Sequence, residues 1–134
     1  MQPSKKFQDF ALLLLRIILA AIFLYAGYMK LGFWSAAPAG VPAGMVILVK
    51  FLSITEPLGG IALIIGFLTR LAAKCLAIIM FGSLFFVHFM MHAAFFTSQQ
   101  GAGMDFNVLI FAGCITVAAF GAGSWSVDRL QKRV

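Results

Sequence analysis

Charge is what this chain has least of. Only 10% of its 134 residues are Asp, Glu, Lys or Arg, and 63% are hydrophobic, where soluble domains carry roughly a quarter charged residues. A soluble fold of this length has too little interior for that much apolar surface, so the class is excluded and a lipid environment is required. Acids are scarcer still, at four against ten Lys and Arg, for a net charge of +6. That excess invites a nucleic-acid partner, but the basic residues sit at the ends of apolar segments. They read as a membrane-topology signal, and no nucleic-acid partner is expected. The two cysteines, Cys75 and Cys114, lie in separate apolar runs without CxxC spacing, which argues against a disulfide framework or a zinc site. Strict alternation of polar and apolar residues is missing, so a β-barrel is not indicated. Linkers, repeats and low-complexity tracts are also missing, and residues 1–134 read as one transmembrane domain.

What is present is long apolar runs. A helix needs about 20 apolar residues to cross the hydrocarbon core, and in lipid it pairs every backbone N–H and C=O within its own segment. Spans are expected at 10–31, 45–68, 71–96 and 106–122. The fold class is therefore all-α, an integral membrane antiparallel four-helix bundle. The first span follows Lys5 and Lys6 as a signal peptide would. It is longer than a signal h-region of about 7–15 residues and contains Arg16, so it is read as retained.

Basic residues set the orientation. With four spans drawn, Lys5, Lys6, Arg70, Lys74, Arg129, Lys132 and Arg133 fall on one side, and only Lys30 and Lys50 on the other. The N-terminus, the Thr69–Arg70 turn and the C-terminal tail are expected in the cytoplasm. The tight Leu68-Thr69-Arg70 turn makes spans two and three antiparallel neighbours. The first outer loop, rich in Gly, Ala and Pro, carries Trp34, expected at the headgroup level; the second, from Thr97, is polar.

The informative residues are polar ones inside apolar runs. Glu56 falls near the middle of span two and Arg16 in the inner half of span one. Each costs on the order of 3 kcal/mol there if isolated. Arg16 is expected to reach Glu56, or else to snorkel toward the interface, and the pair would serve either packing or function. Arg16, Ala20, Phe23, Gly27 and Lys30 share one face of span one, where the small members let another helix approach. In span two, Pro57 follows Glu56 and frees the Ser53 carbonyl. His88 and His92, four apart, are expected on one face of span three. Metal binding needs more ligands than these two supply, so no metal is assigned, and interfacial hydrogen bonding or contact with a polar ligand head is expected instead. Asp105 opens span four, where an acid suits the positive helix end. Together Tyr25, Lys30, Lys50, His88, His92, Asp105 and Asn107 are expected to converge as an outer-leaflet cavity. The ligand-binding candidates are Arg16, Tyr25, Lys30, Glu56, His88, His92, Asp105 and Asn107.

At these residues the chain resembles the DoxX family of small four-span bacterial membrane proteins. The resemblance runs through Arg16, Gly27 and Lys30, through Glu56-Pro57-Leu58-Gly59-Gly60, and through Gly66-Phe67-Leu68-Thr69-Arg70-Leu71-Ala72-Ala73. It continues in His92-Ala93-Ala94-Phe95-Phe96 and Gly121-Ala122-Gly123-Ser124-Trp125-Ser126-Val127-Asp128, and so covers nearly the whole chain. Asp105 departs from it, since the family more often has Glu there. The family is related to the small membrane subunit of thiosulfate:quinone oxidoreductase, and its members are associated with redox and stress complexes. The resemblance implies the bacterial inner membrane as location, quinone as a redox partner, and a soluble or membrane oxidoreductase subunit as a protein partner.

The sequence has no CxxCH, no Rossmann fingerprint and no cysteine pair, so it shows no redox centre of its own. Three readings stand at this level: a quinone-contacting membrane subunit of an oxidoreductase complex, a small carrier or binding protein for an apolar or weakly acidic molecule, and a structural component whose buried charges serve packing. Whether the chain is catalytic, or a homo-oligomer, stays open at this point.

Overall fold

The computed structural model describes residues 3–132; Arg133, one of the expected cytoplasmic basic residues, lies outside them. The helices are α1 (Lys5–Lys30), α2 (Gly32–Ser35), α3 (Ala43–Ile65), α4 (Thr69–Phe89), α5 (Asp105–Phe120) and α6 (Val127–Gln131). No strand occurs among the described residues; the nearest thing is one isolated bridge between Ser98 and Gly101.

Three segments, Lys5–Ser35, Ala43–Ile65 and Thr69–Phe89, are long and apolar enough to cross a membrane, and α5 is a shorter apolar helix. Its 16 residues rise about 24 Å. Unlike a soluble bundle, this one has an apolar exterior around its apolar core: no more than 28% of the most apolar stretch of any long helix is buried inside it. Ile78 is 73% exposed and Leu109 70%. Side chains of that kind are stable facing hydrocarbon. This is an all-α membrane helical bundle embedded in lipid.

Each long helix buries a narrow stripe. In α1 it is Arg16, Leu19, Ala20, Phe23 and Gly27; in α3, Ser53, Glu56, Gly60 and Leu63; in α4, Thr69, Ala73, Leu76, Ala77 and Met80. The three- and four-residue steps are those of one helical face. Packing is closest between α1 and α3 and between α4 and α5, and the α3–α4 and α1–α5 contacts close the square. Small residues set the α1–α3 approach: a Cβ on Gly60 would lie 3.1 Å from the Ala20 carbonyl oxygen.

Helix ends explain where the observed elements depart from the expected spans. α3 stops at Gly66 (φ 74°), where the N–H groups of Gly66 and Phe67 both donate to Ala62 O. This is a left-handed C-terminal cap of the kind glycine favours. α4 ends at Phe89, well short of Phe96. The Met90 N–H still donates to Phe86 O, but His92 turns to φ 50°, and the carbonyls of Ala94 and Phe95 accept from Met104 and Asp105. The segment after α4 thus folds as a loop held against the start of α5.

Both described chain ends lie at one end of the bundle, where Ser124 N donates to Asp9 Oδ1 at 2.9 Å.

A buried ion pair as the candidate functional site

Antiparallel packing of α1 on α3 fixes which polar residues meet. Arg16 lies level with Leu63 and Ile64, Ala20 with Gly60, and Gly27 with Ser53 and Pro57. In that register Glu56 stands about 12 Å along the axis from Arg16. The expected Arg16–Glu56 pair therefore does not form.

Glu56 pairs with Lys30 instead. Lys30 Nζ donates to Glu56 Oε2 at 2.6 Å and to Ala26 O at 3.3 Å, so the lysine folds back one turn along its own helix to reach the carboxylate. The Glu56 side chain is 6% exposed and that of Lys30 27%. An ion pair of this kind offsets the cost of each charge in a medium that solvates neither. Two hydrogen bonds leave the ammonium one further N–H. Glu56 Oε1 receives no hydrogen bond from the described residues.

The surroundings are polar on one side. Trp34 Nε1 donates to Ser53 Oγ at 2.9 Å, and Ser53 Oγ donates to Lys50 O at 2.7 Å. Lys50 Nζ lies 5.2 Å from the centre of the Trp34 ring, within cation–π range. The ring of Pro57 packs on Gly27: a Cβ there would fall 2.1 Å from Pro57 Cγ. With a bare glycine opposite the Pro57 ring, the two helices come close enough for a lysine to reach across.

Arg16 belongs to a different construction. Fully buried, its Nε donates to Leu63 O at 2.8 Å, Nη2 to Ile64 O at 2.9 Å, and Nη1 to Ala122 O at 2.7 Å and Trp125 O at 3.0 Å. The guanidinium caps the C-terminal turn of α3, where carbonyls lack helical partners and the dipole favours a cation. It ties that turn to the segment after α5. Gly66 makes room, since a Cβ there would lie 2.6 Å from Arg16 Nη2.

The remaining candidates do not join the pair. Tyr25 is 65% exposed on α1. His88 is exposed, its ring edge-on to Phe89 at 4.7 Å. Because α4 ends at Phe89, His92 lies beyond the helix and does not continue the face of His88. Asp105 is committed to the loop: Oδ1 accepts from Thr97 Oγ1 at 2.6 Å and from Phe106 N, and Oδ2 from Thr97 N. Asn107 is half-buried and makes no side-chain hydrogen bond with the described residues. No hydrogen bond or ion pair joins any of these five to Lys30 or Glu56; of the seven residues expected around an outer cavity, the contacts at this site involve Lys30 and Lys50, together with Glu56, Trp34 and Ser53. A shared level in the membrane, from which the seven were grouped, does not fix the direction in which a side chain points. Trp34 and Ser53 were missed as partners; their only signal is that Ser53 shares the Glu56 face and Trp34 follows Lys30 by one turn.

The DoxX family profile matches residues 11–89, which include Arg16, Lys30 and Glu56 and end before Asp105. The chain is also 31% identical over 134 residues to the inner membrane protein YqjF of Escherichia coli (strain K12), covering 96% of this chain and 98% of that protein. No solved structure matches. With the profile spanning more than half its length and a relative aligned almost end to end, this multi-pass membrane chain belongs to the DoxX family.

Proposed function

We propose that this protein is an inner-membrane, quinone-contacting subunit, with the Lys30–Glu56 pair as the contact and a soluble or membrane oxidoreductase subunit carrying the redox chemistry. One observation carries this reading. The pair is half-satisfied: Lys30 has an N–H to donate, Glu56 Oε1 has lone pairs to accept with, and the 27% exposure of Lys30 makes the pair reachable from outside the bundle. A donor beside an acceptor at the edge of hydrocarbon matches a quinone head, whose oxidised form offers a carbonyl and whose reduced form offers a hydroxyl. The apolar tail needs no enclosed cavity here, because bilayer hydrocarbon surrounds the helices.

The name of the Escherichia coli relative supports the inner membrane as location, and the basic end of the bundle supports a cytoplasmic position for both termini. Lys30 and Glu56 then lie in the outer half of the membrane.

A short-tailed quinone titrated into the purified protein tests the reading through quenching of Trp34 fluorescence, with Trp125→Phe removing the other indole. Saturable quenching that is lost in folded Lys30→Met and in folded Glu56→Gln is the expected result. Quenching that stays linear with quinone concentration, or is unchanged in both variants, overturns the reading and leaves the pair as a packing device.

A further inference from the structure

At the end of the bundle that carries both chain ends, a cleft of about 800 Å³ opens between the start of α4, the end of α5 and α6, and Arg70, Arg129 and Lys132 line it. An apolar groove of about 380 Å³ runs between α3 and α4, walled by small residues such as Gly59, Ala62 and Ala72. Leu68 and Leu71 line both. We propose that cleft and groove are one binding site for an anionic phospholipid, with the phosphate among the cations and an acyl chain in the groove.

Charge complementarity is the first argument. Two acids, Asp9 and Asp128, also line the cleft and keep their charge, but the three cations outnumber them and backbone N–H groups occupy carboxylate oxygens of both. Asp9 Oδ1 accepts from Ser124 N at 2.9 Å, and the two Asp128 oxygens accept from Leu68 N at 2.8 Å and Thr69 N at 2.9 Å. The cations are not consumed in this way. The Arg70 side chain makes no hydrogen bond or salt bridge with the described residues, and that of Arg129 makes one long contact, from Nη1 to Ser124 Oγ at 3.3 Å. Arg70 lies over Gly121, where a Cβ would meet its Nε at 3.1 Å. The planar guanidinium presents paired N–H groups that suit phosphate oxygens.

Continuity is the second argument, and it selects a lipid over free phosphate. Leu68 is 51% exposed and Leu71 57%, and both line the cationic cleft as well as the groove, so the two adjoin there. In a bilayer that is the order of head group, glycerol and acyl chain. Basic pockets between transmembrane helices hold anionic head groups in this manner.

Native mass spectrometry of the full chain, released from vesicles of equal phosphatidylglycerol and phosphatidylcholine with identical acyl chains, reads the proposal. Each engaged cation changes affinity about fivefold, so retained phosphatidylglycerol should exceed phosphatidylcholine by roughly tenfold or more. Arg70→Gln with Arg129→Gln should abolish the preference. Lys5→Gln with Lys74→Gln removes the same charge from the same end but outside the cleft, and should leave the preference standing. Ala72→Leu, which narrows the groove, should lower retention of phosphatidylglycerol without raising that of phosphatidylcholine. Equal retention of the two lipids, equal loss in both charge pairs, or displacement of phosphatidylglycerol by inorganic phosphate at comparable concentration would each overturn the site.

Discussion

Gly27 lies directly beneath the ring of Pro57: a Cβ at position 27 would come within 2.1 Å of Pro57 Cγ and 2.5 Å of Pro57 Cδ. Helix α1 needs no backbone freedom there, and its glycine is present because the proline ring occupies the space. The same approach lets Lys30 span to Glu56.

Gly27→Ala is therefore expected to push α1 and α3 apart, at a cost of roughly 1–3 kcal/mol for an overpacked core position. Thermal unfolding in mild detergent measures it. Gly32→Ala is the control, because nothing lies within 4 Å of a Cβ at that position.

The Lys30–Glu56 pair predicts an asymmetric cycle. Lys30→Met strands a carboxylate that is 6% exposed, whereas Glu56→Gln leaves a lysine that is 27% exposed and able to turn toward the interface. The first substitution should destabilise by roughly 1–3 kcal/mol, less than a fully dry pair would lose, and the second by less. The double variant should recover most of the loss. Glu56→Gln and Arg16→Met, being separated along the bundle, should simply add; coupling between them would contradict the register.

Arg16 predicts a larger effect. Arg16→Met leaves the carbonyls of Leu63, Ile64, Ala122 and Trp125 without their donor. A loss on the order of 3 kcal/mol or more is expected, since hydrogen bonds to charged groups are the strong ones. Arg16→Lys should restore only part of it, because an ammonium cannot reach four acceptors spread around a planar fork. Denaturation midpoints of the three proteins give the ranking.

Asp128 predicts a pH dependence. Burial raises its pKa, but hydrogen bonds from Thr69 and the Leu68 N–H, together with the Arg16 charge, outweigh that and hold it below the ordinary 3.8. A group more acidic when folded contributes stability above its unfolded pKa and loses it as pH falls through the folded value. The melting temperature should therefore drop below about pH 4 in the native protein. In Asp128→Asn the melting temperature should be lower at neutral pH and flatter across the acid range.

Topology is testable by cysteine labelling at Ser98→Cys and Lys132→Cys, after replacing Cys75 and Cys114 with Ala. The loop after α4 and the end of α6 lie at opposite ends of the bundle, so the two sites should label from opposite sides. Label reaching both from one side would rule out the arrangement of the spans.

Composition and the long apolar runs already determined the class of this protein and its antiparallel helices, while the family it resembles was legible only in motifs such as Glu56-Pro57-Leu58-Gly59-Gly60. Those properties depend on the length and hydropathy of contiguous segments, which can be read along a chain. The importance of Arg16, Gly27, Lys30 and Glu56 was legible for a related reason: charge and small size are conspicuous inside an apolar helix. Their partners were not legible. Arg16 and Glu56 were the expected pair because both lie deep, but the axial register of α1 on α3, set by the contact of Gly27 with Pro57, gives Glu56 to Lys30 and gives Arg16 to four backbone carbonyls. Likewise His88 and His92 have helical spacing, yet whether they share a face depends on where α4 stops. Beyond that end the carbonyls of Ala94 and Phe95 find donors in Met104 and Asp105, on the far side of the loop. Local pattern specifies what each segment must bury, and only the packed structure decides which group on another segment meets it, because that choice depends on offsets of a few ångströms between helices that no single segment encodes.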